Sequence, residues 1–221
     1  MRDFLFNLSL GDRFMNRLVL IGGGGHCKSV LDTVLRSGLY NEIVITDPEI
    51  QKGTLVLGVR VVGDDSQLSE LFSNGFTDAI VTVGALTNPG LRRIISSKAQ
   101  EIGFNFPVIV DPSAVVSDSA KIGEGTFIGK NAIVNADVSI GNHCIINSGA
   151  IIEHECKIDS YSHVSVGAIL CGNVKIGSDC LVGAGCNVKQ GVCIGNNSIV
   201  GIGSTVLNNI EDNNTVYGLI K

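Results

Sequence analysis

Four histidines and one run of glycines carry most of the chemistry this sequence can offer. Imidazole gains or loses a proton near neutral pH, so a histidine beside a reacting group can accept one. Three of the four fall in one stretch: His143, His154 and His163. His154 is followed directly by Glu155. A neighbouring carboxylate raises the pKa of an imidazole and stabilises the imidazolium it becomes. By position alone, His154 reads equally well as a solvent-exposed turn residue. The second feature is Gly22-Gly23-Gly24-Gly25-His26, set between a strand-like run and a helical pattern. Glycines at a helix start let backbone N–H groups approach a phosphate. The dinucleotide fingerprint Gly-x-Gly-x-x-Gly, begun at Gly22, needs glycine where Cys27 stands, which disfavours NAD. A nucleotide-linked sugar needs the same diphosphate cradle, and a tight turn without a ligand is the plain alternative. Asp47 ends the next strand and is suited to accept from a ribose or base. Together with Gly24, Gly25, His26 and Gly84, it forms the candidate substrate-binding set.

The elements that must position these groups fall in two halves. In the first, Arg17 to Ile21 reads as a strand, Cys27 to Arg36 as a helix and Glu42 to Thr46 as a strand closed by Asp47-Pro48. Val59 to Val62 reads as a short strand, Ser66 to Ser73 as a helix and Asp78 to Val83 as a strand ending at Gly84. A helix over Asn88 to Gly103 is capped by Asn88 with Pro89 in its first turn. Phe106 to Ile109 then reads as the last strand. Alternating strands and helices imply a small parallel sheet of Rossmann type.

The second half repeats every six residues. From Val110 the positions 116, 122, 128 and onward in sixes to 206 are all aliphatic. Four residues after each stands, with few exceptions, a small side chain, such as Ala114, Thr126, Cys144, Ser162 and Ala168. A period of six is not helical; it fits a short strand plus a turn, three of which make a triangular coil. The pattern predicts between five and six coils, with aliphatics stacked at the corners and small residues where the prism narrows. The period does not fix the hand. The fold class is therefore α/β plus all-β, with 1–16 an extension, 17–109 Rossmann-like and 110–221 a parallel β-helix.

Composition agrees. There are 28 glycines, 4 prolines and no tryptophan, which suits many tight turns and an aliphatic core. The net charge is −5 without a long basic run, against nucleic-acid binding. No apolar stretch approaches the roughly 20 residues of a membrane span. Residues 1–16 lack a signal-peptide pattern, with Met15 an alternative start. The 7 cysteines are odd in number and form no Cys-x-x-Cys pair, so a reduced, cytoplasmic protein without bound metal is expected. Cys144, Cys156, Cys180 and Cys186 occupy the small inward position. Cys27, Cys171 and Cys193 do not, and no chemistry is assigned to them.

The runs Ile-Glu-His154-Glu155-Cys, Ser-His163-Val-Ser-Val-Gly-Ala and Gly172-Asn-Val-Lys-Ile-Gly resemble the bacterial sugar O- and N-acetyltransferases. The likeness is strongest to the UDP-4-amino-sugar N-acetyltransferases of the bacillosamine pathway. It extends over about Leu18 to Asn208 and includes the Gly-Gly-His run and Asp47. It implies a left-handed β-helix, acetyl-CoA as cosubstrate and a homotrimer with active sites between subunits. By the same resemblance His154 is the general base and Glu155 its acidic partner. Asn147 and His163 lie in the same site, and Gly172 offers a backbone amide to the acetyl carbonyl. Glu153 is expected to face solvent. Successive residues on a flat strand point to opposite faces, so His154 and Glu155 cooperate only if a corner turns them together. Many relatives end in Gly-x-Pro-Ala over the coenzyme, where this chain reads Val-Tyr217-Gly218-Leu-Ile-Lys221. Gly201 and Gly203 are assigned to the pantetheine track. Three rivals remain: an O-acetyltransferase of sialic acid or another polysaccharide precursor, a trimeric zinc carbonic anhydrase using the three histidines, and a non-catalytic sugar-nucleotide scaffold.

Overall fold

The computed structural model describes residues 16–84 and 89–221. The extension, apart from Asn16, and the Asn88 helix cap lie outside the described residues.

The first domain runs β1 (Arg17–Ile21), α1 (Gly25–Ser37), β2 (Glu42–Thr46), β3 (Leu55–Val56), β4 (Val59–Gly63), α2 (Leu68–Ser73), β5 (Asp78–Val81) and α3 (Pro89–Ile102). The sheet order is β3-β4-β2-β1-β5, parallel except for the β3–β4 hairpin. Its interior strand β1 is apolar from Leu18 to Ile21 because both faces are covered there. Leu18 and Leu20 meet Val30, Leu31 and Val34 of α1, while Val19 and Ile21 meet Leu68, Ile95 and Ala99. Three expected elements change. α1 begins at Gly25, ahead of Cys27. A 3-10 turn, Asp65–Gln67, precedes α2. Phe106 to Ile109 is not a sheet strand: only Asn105 bridges to Asp78. Pro107 has no N–H to continue a ladder, and Ile109–Val110 pairs instead with Phe127–Ile128 of the second domain.

The second domain is a three-sided parallel β-helix of two-residue strands. The first face runs from Ile109–Val110 to Thr215–Val216, the second from Val115–Val116 to Leu219–Ile220, and the third from Lys121–Ile122 to Cys193–Ile194. Register advances by eighteen residues, as in Ile145 with His163 and Lys157 with Lys175. The last coil is tighter, since Ile199 pairs with Thr215.

The repeated aliphatics are the second residue of each strand and are buried from Ile128 to Val206, while Val110, Val116 and Ile122 at the open base are partly exposed. They line the flats, not the corners as expected; the small residues end each turn and fill the corners. Each corner column has its own chemistry. Between the first and second faces it is alanine through Ala132, Ala150 and Ala168, then Cys186 and Ser204. Between the second and third it includes Val138, Cys156, Val174 and Val192. Between the third and first it alternates Thr126, Cys144, Ser162, Cys180 and Ser198. The hydroxyls and thiols of this last column donate to carbonyls one coil on, as Thr126 does to Gly141, Cys144 to Asp159 and Ser162 to Gly177. A corner that would strand a buried carbonyl is thereby satisfied, which accounts for Cys144 and Cys180; Cys156 and Cys186 donate in the same way from the other corners, to the carbonyls of Cys171 and Gly201.

The domains are tied together along the first face. Phe127 and Ile145 join the α1-side core. Thr33 donates to buried Asp111 at 2.7 Å. From α3, Arg92 donates to the carbonyls of His143 and Tyr161, and Arg93 pairs with Asp179 at 2.6 Å.

Candidate active site

Every sixth residue from 125 to 203 takes a left-handed backbone at a corner. Eleven of these fourteen are Gly, Asn or Asp, the residues that tolerate it. The exceptions are His143, Glu155 and Tyr161, at φ 54°, 61° and 65°. His143 and Tyr161 are explained by packing. They stack on each other at 5.0 Å, Phe106 meets His143 edge-on, and Arg93 lies over Tyr161. Glu155 is exposed, and among the described residues its carboxylate pairs with His154. Its left-handed turn swings the carboxylate beside the imidazole, with Oε2 3.1 Å from His154 Nδ1. The corner therefore does turn the two residues together, as their cooperation requires. This strained position was readable from the hexad as the single corner column where a long carboxylate replaces Gly, Asn or Asp.

With Nδ1 engaged, Nε2 is the free nitrogen of His154. It faces Gly172, one coil on: a Cβ at Gly172 would lie 2.5 Å from Cε1 and Nε2. Glycine is needed there to make room for the ring. The Gly172 N–H makes no hydrogen bond among the described residues, whereas its carbonyl accepts from Gly191. A proton acceptor and an unused amide donor thus lie side by side. Glu153 points outward, as expected, but is not free in solvent. It is half-buried, and its Oε2 accepts from Asn135 Nδ2 at 3.1 Å and from the His154 N–H at 3.3 Å.

Asn147, His163 and His26 form a second group. Asn147 and His163 project from adjacent coils of the first face, with Asn147 Nδ2 3.3 Å from His163 Nε2. If the amide N–H donates there, the imidazole proton sits on Nδ1, which is buried without a partner. His26, in the first turn of α1, packs edge-on against Phe127 at 5.5 Å. Burial drives His163 down to about 3, with help from His26 and Arg92, and drives His26 down to about 4, with help from Arg92. Both rings are neutral near neutral pH.

Gly24 and Gly25 are exposed, and a Cβ at either would enter open space, so the fold does not demand glycine there. The first turn of α1 has no side-chain cap, which leaves its N–H groups for an anion. The loop lies at the carboxyl edge of the sheet where strand order reverses between β1 and β5. Thr82 ties the two sides, donating to the Gly22 carbonyl, and Gly84 follows on the same edge. Asp47 is turned inward to the loop. Its Oδ2 accepts from Gly23 N–H at 2.6 Å and its Oδ1 from Glu49 and Ile50. It shapes the cradle instead of reaching out toward a ribose.

The pantetheine assignments change too. The Gly201 and Gly203 amides are spent on the carbonyls of Val216 and Ala184. Gly201 also lies beneath the Tyr217 ring, where a Cβ would come within 2.1 Å.

Residues 17–99 match the family model described as the PglD N-terminal domain. Residues 119–154 match the bacterial transferase hexapeptide, and 173–208 the hexapeptide repeat of succinyl-transferase. A mutant perosamine N-acetyltransferase from Caulobacter crescentus, solved with CoA and GDP-perosamine, is 36% identical with a TM-score of 0.85. The match covers 92% of this chain and 94% of that one. The chain belongs to the acetyl-CoA-dependent sugar N-acetyltransferases of the left-handed β-helix family. Another member, the acetyltransferase domain of PglB from Neisseria gonorrhoeae in complex with acetyl coenzyme A, is 36% identical with a TM-score of 0.86. There the match covers 92% of this chain and 96% of that one. No curated protein matches by sequence.

Within one sugar N-acetyltransferase chain the two groups stand apart. His154, Glu155 and Gly172 lie at the corner between the second and third faces. Asn147 and His163 lie at or near the corner between the first and second. The second face separates them by up to about 20 Å, from a rise of roughly 3.3 Å per residue. His143 belongs to neither: it is buried beneath α3. The three histidines of the β-helix therefore do not converge, and no metal-binding cluster forms among the described residues.

Proposed function

We propose that this enzyme transfers the acetyl group of acetyl-CoA to the 4-amino group of a nucleotide-linked 4-amino-4,6-dideoxyhexose, with UDP as the first nucleotide to test. The observation that carries the reading is His154, with Glu155 on Nδ1 and the unused Gly172 amide beside Nε2. The amine nitrogen attacks the thioester carbonyl. His154 Nε2 takes the amine proton, while Glu155 holds the ring and offsets the imidazolium charge. The Gly172 N–H donates to the oxyanion of the tetrahedral intermediate. Collapse breaks the carbon–sulfur bond, and the imidazolium returns its proton to the departing CoA sulfur. No enzyme-bound acyl intermediate is required.

The diphosphate of the acceptor rests on Gly24, Gly25 and the start of α1. His163 and Asn147 face the acetyl-CoA end. Because one chain keeps these groups apart from His154, the site is completed by a neighbour in a homotrimer. The second face supports such packing. Val115, Ile133, Ile151 and Ile169 form an outward aliphatic ladder, with Val115 58% exposed. No helix among the described residues is long and apolar enough to cross a membrane, and we assign the enzyme to the cytoplasm. The Caulobacter relative holds a GDP-linked amino sugar, so the nucleotide is a point for experiment.

Thiol release from acetyl-CoA, measured against UDP-, dTDP- and GDP-linked 4-amino sugars, tests the assignment. Turnover is expected with at least one of them. Turnover with a sialic acid and with no amino sugar would overturn it in favour of O-acetylation.

A further inference from the structure

Two carboxylates flank His154, and only one of them is needed to hold it. Glu155 occupies Nδ1. Glu153 is fixed separately. Its Oε2 is gripped by the Asn135 side chain from the coil below and by the His154 backbone N–H. Its Oε1 makes no hydrogen bond, and its carboxylate no ion pair, among the described residues. A carboxylate oxygen held in place beside the base and without a protein partner is placed to accept a charge-assisted hydrogen bond from a cation. Here it sits on the second face, immediately before the base, at the edge the two groups must share if the site is completed by a neighbour.

The acceptor supplies the missing charge. An aliphatic amine is mostly protonated near neutral pH, so an amino sugar reaches the site as a cation, while a hydroxyl acceptor does not; the ammonium gives one proton to solvent before its nitrogen attacks, and His154 Nε2 takes the second as the carbon–nitrogen bond forms. We propose that Glu153 is a specificity-determining residue: its free carboxylate oxygen binds the ammonium form of the acceptor beside His154 and so selects an amino sugar over its hydroxyl counterpart. Asn135 is the positioning residue that keeps this oxygen in place. The proposal rests on the N-acetyltransferase reading and names the group within that site that chooses nitrogen.

The test is Glu153→Gln in the full chain. Glutamine keeps an oxygen that can accept from Asn135 and the His154 N–H, so the fold and the base are retained while the charge is lost. With the amino-sugar nucleotide, KM is expected to rise roughly ten- to a hundred-fold, as for the loss of a charge-assisted hydrogen bond, with kcat little changed. The matching 4-hydroxy sugar nucleotide, used as a competitive inhibitor, is expected to keep its Ki. Asn135→Ala should shift KM the same way by a smaller factor. An unchanged KM, or equal weakening of the amino and hydroxy compounds, overturns the role of Glu153 alone. Absence of turnover by the wild type with every amino sugar overturns the N-acetyl reading and this inference with it.

Discussion

His154 Nδ1 lies 3.1 Å from Glu155 Oε2, although the two residues are consecutive in the chain. That contact exists because Glu155 adopts φ 61° at a β-helix corner. It fixes which imidazole nitrogen is free, and the free one faces Gly172.

Replacing His154 by alanine should lower kcat by about 10² to 10⁴, the usual worth of a positioned general base. The side chain is exposed and supports no core, so the melting temperature should stay near that of the wild type. Glu155→Gln should cost less than His154→Ala. Steady-state thiol release with parallel thermal melts distinguishes lost chemistry from lost folding.

Gly172→Ala should leave the coil intact but displace the base, since the new methyl carbon would lie 2.5 Å from the ring. Misplacement of this kind costs about 100-fold in rate. Retained activity, with His154 unmoved in a crystal structure of the variant, would count against the assigned contact.

Much of this was legible in the sequence. The aliphatic at every sixth position gave the prism, and the glycine run gave the turn between β1 and α1. What the period could not convey was direction. Asp47 ends the expected strand, yet its oxygens turn inward to the loop because three backbone N–H groups there need acceptors. Gly201 and Gly203 looked available, yet their amides are committed to neighbouring coils, Gly201 to the next and Gly203 to the one before. Glu153 follows an inward-facing residue and so points outward, but only the coil below supplies Asn135. Pro107 was visible and should have ended the expected last strand.

Acid should unfold the protein through its buried histidines. Burial holds His143 down to about 4, with Arg92 and Arg93 adding to the effect, and holds His163 down to about 3. An unfolded histidine titrates near 6.5. Between those values the unfolded chain binds more protons, so stability is fully present above about pH 6.5 and falls as pH drops toward 4. Urea midpoints at pH 7.5 and 5 should differ in the wild type. His143→Asn should be less stable at pH 7.5, having lost its ring stacking, but should show a smaller loss on acidification.

The aliphatic ladder of the second face makes a separate demand. Ile133→Asp or Ile151→Asp places a carboxylate on an outward position and should spare the coil itself. At a subunit seam it would be buried without a partner, at a cost of several kcal/mol. Sedimentation should report smaller species with little activity. A trimer unchanged in mass would place the seam elsewhere.

The most direct test of the central claim, that one chain's base serves a substrate held by its neighbour, is complementation. His154→Ala and Asn147→Ala proteins, each of low activity alone, are unfolded together and refolded as mixed trimers. Random assembly restores both wild-type groups at about one interface in four, so about a quarter of wild-type activity is expected. Mixed trimers no more active than either parent would contradict the account, because both groups would then have to come from the same chain.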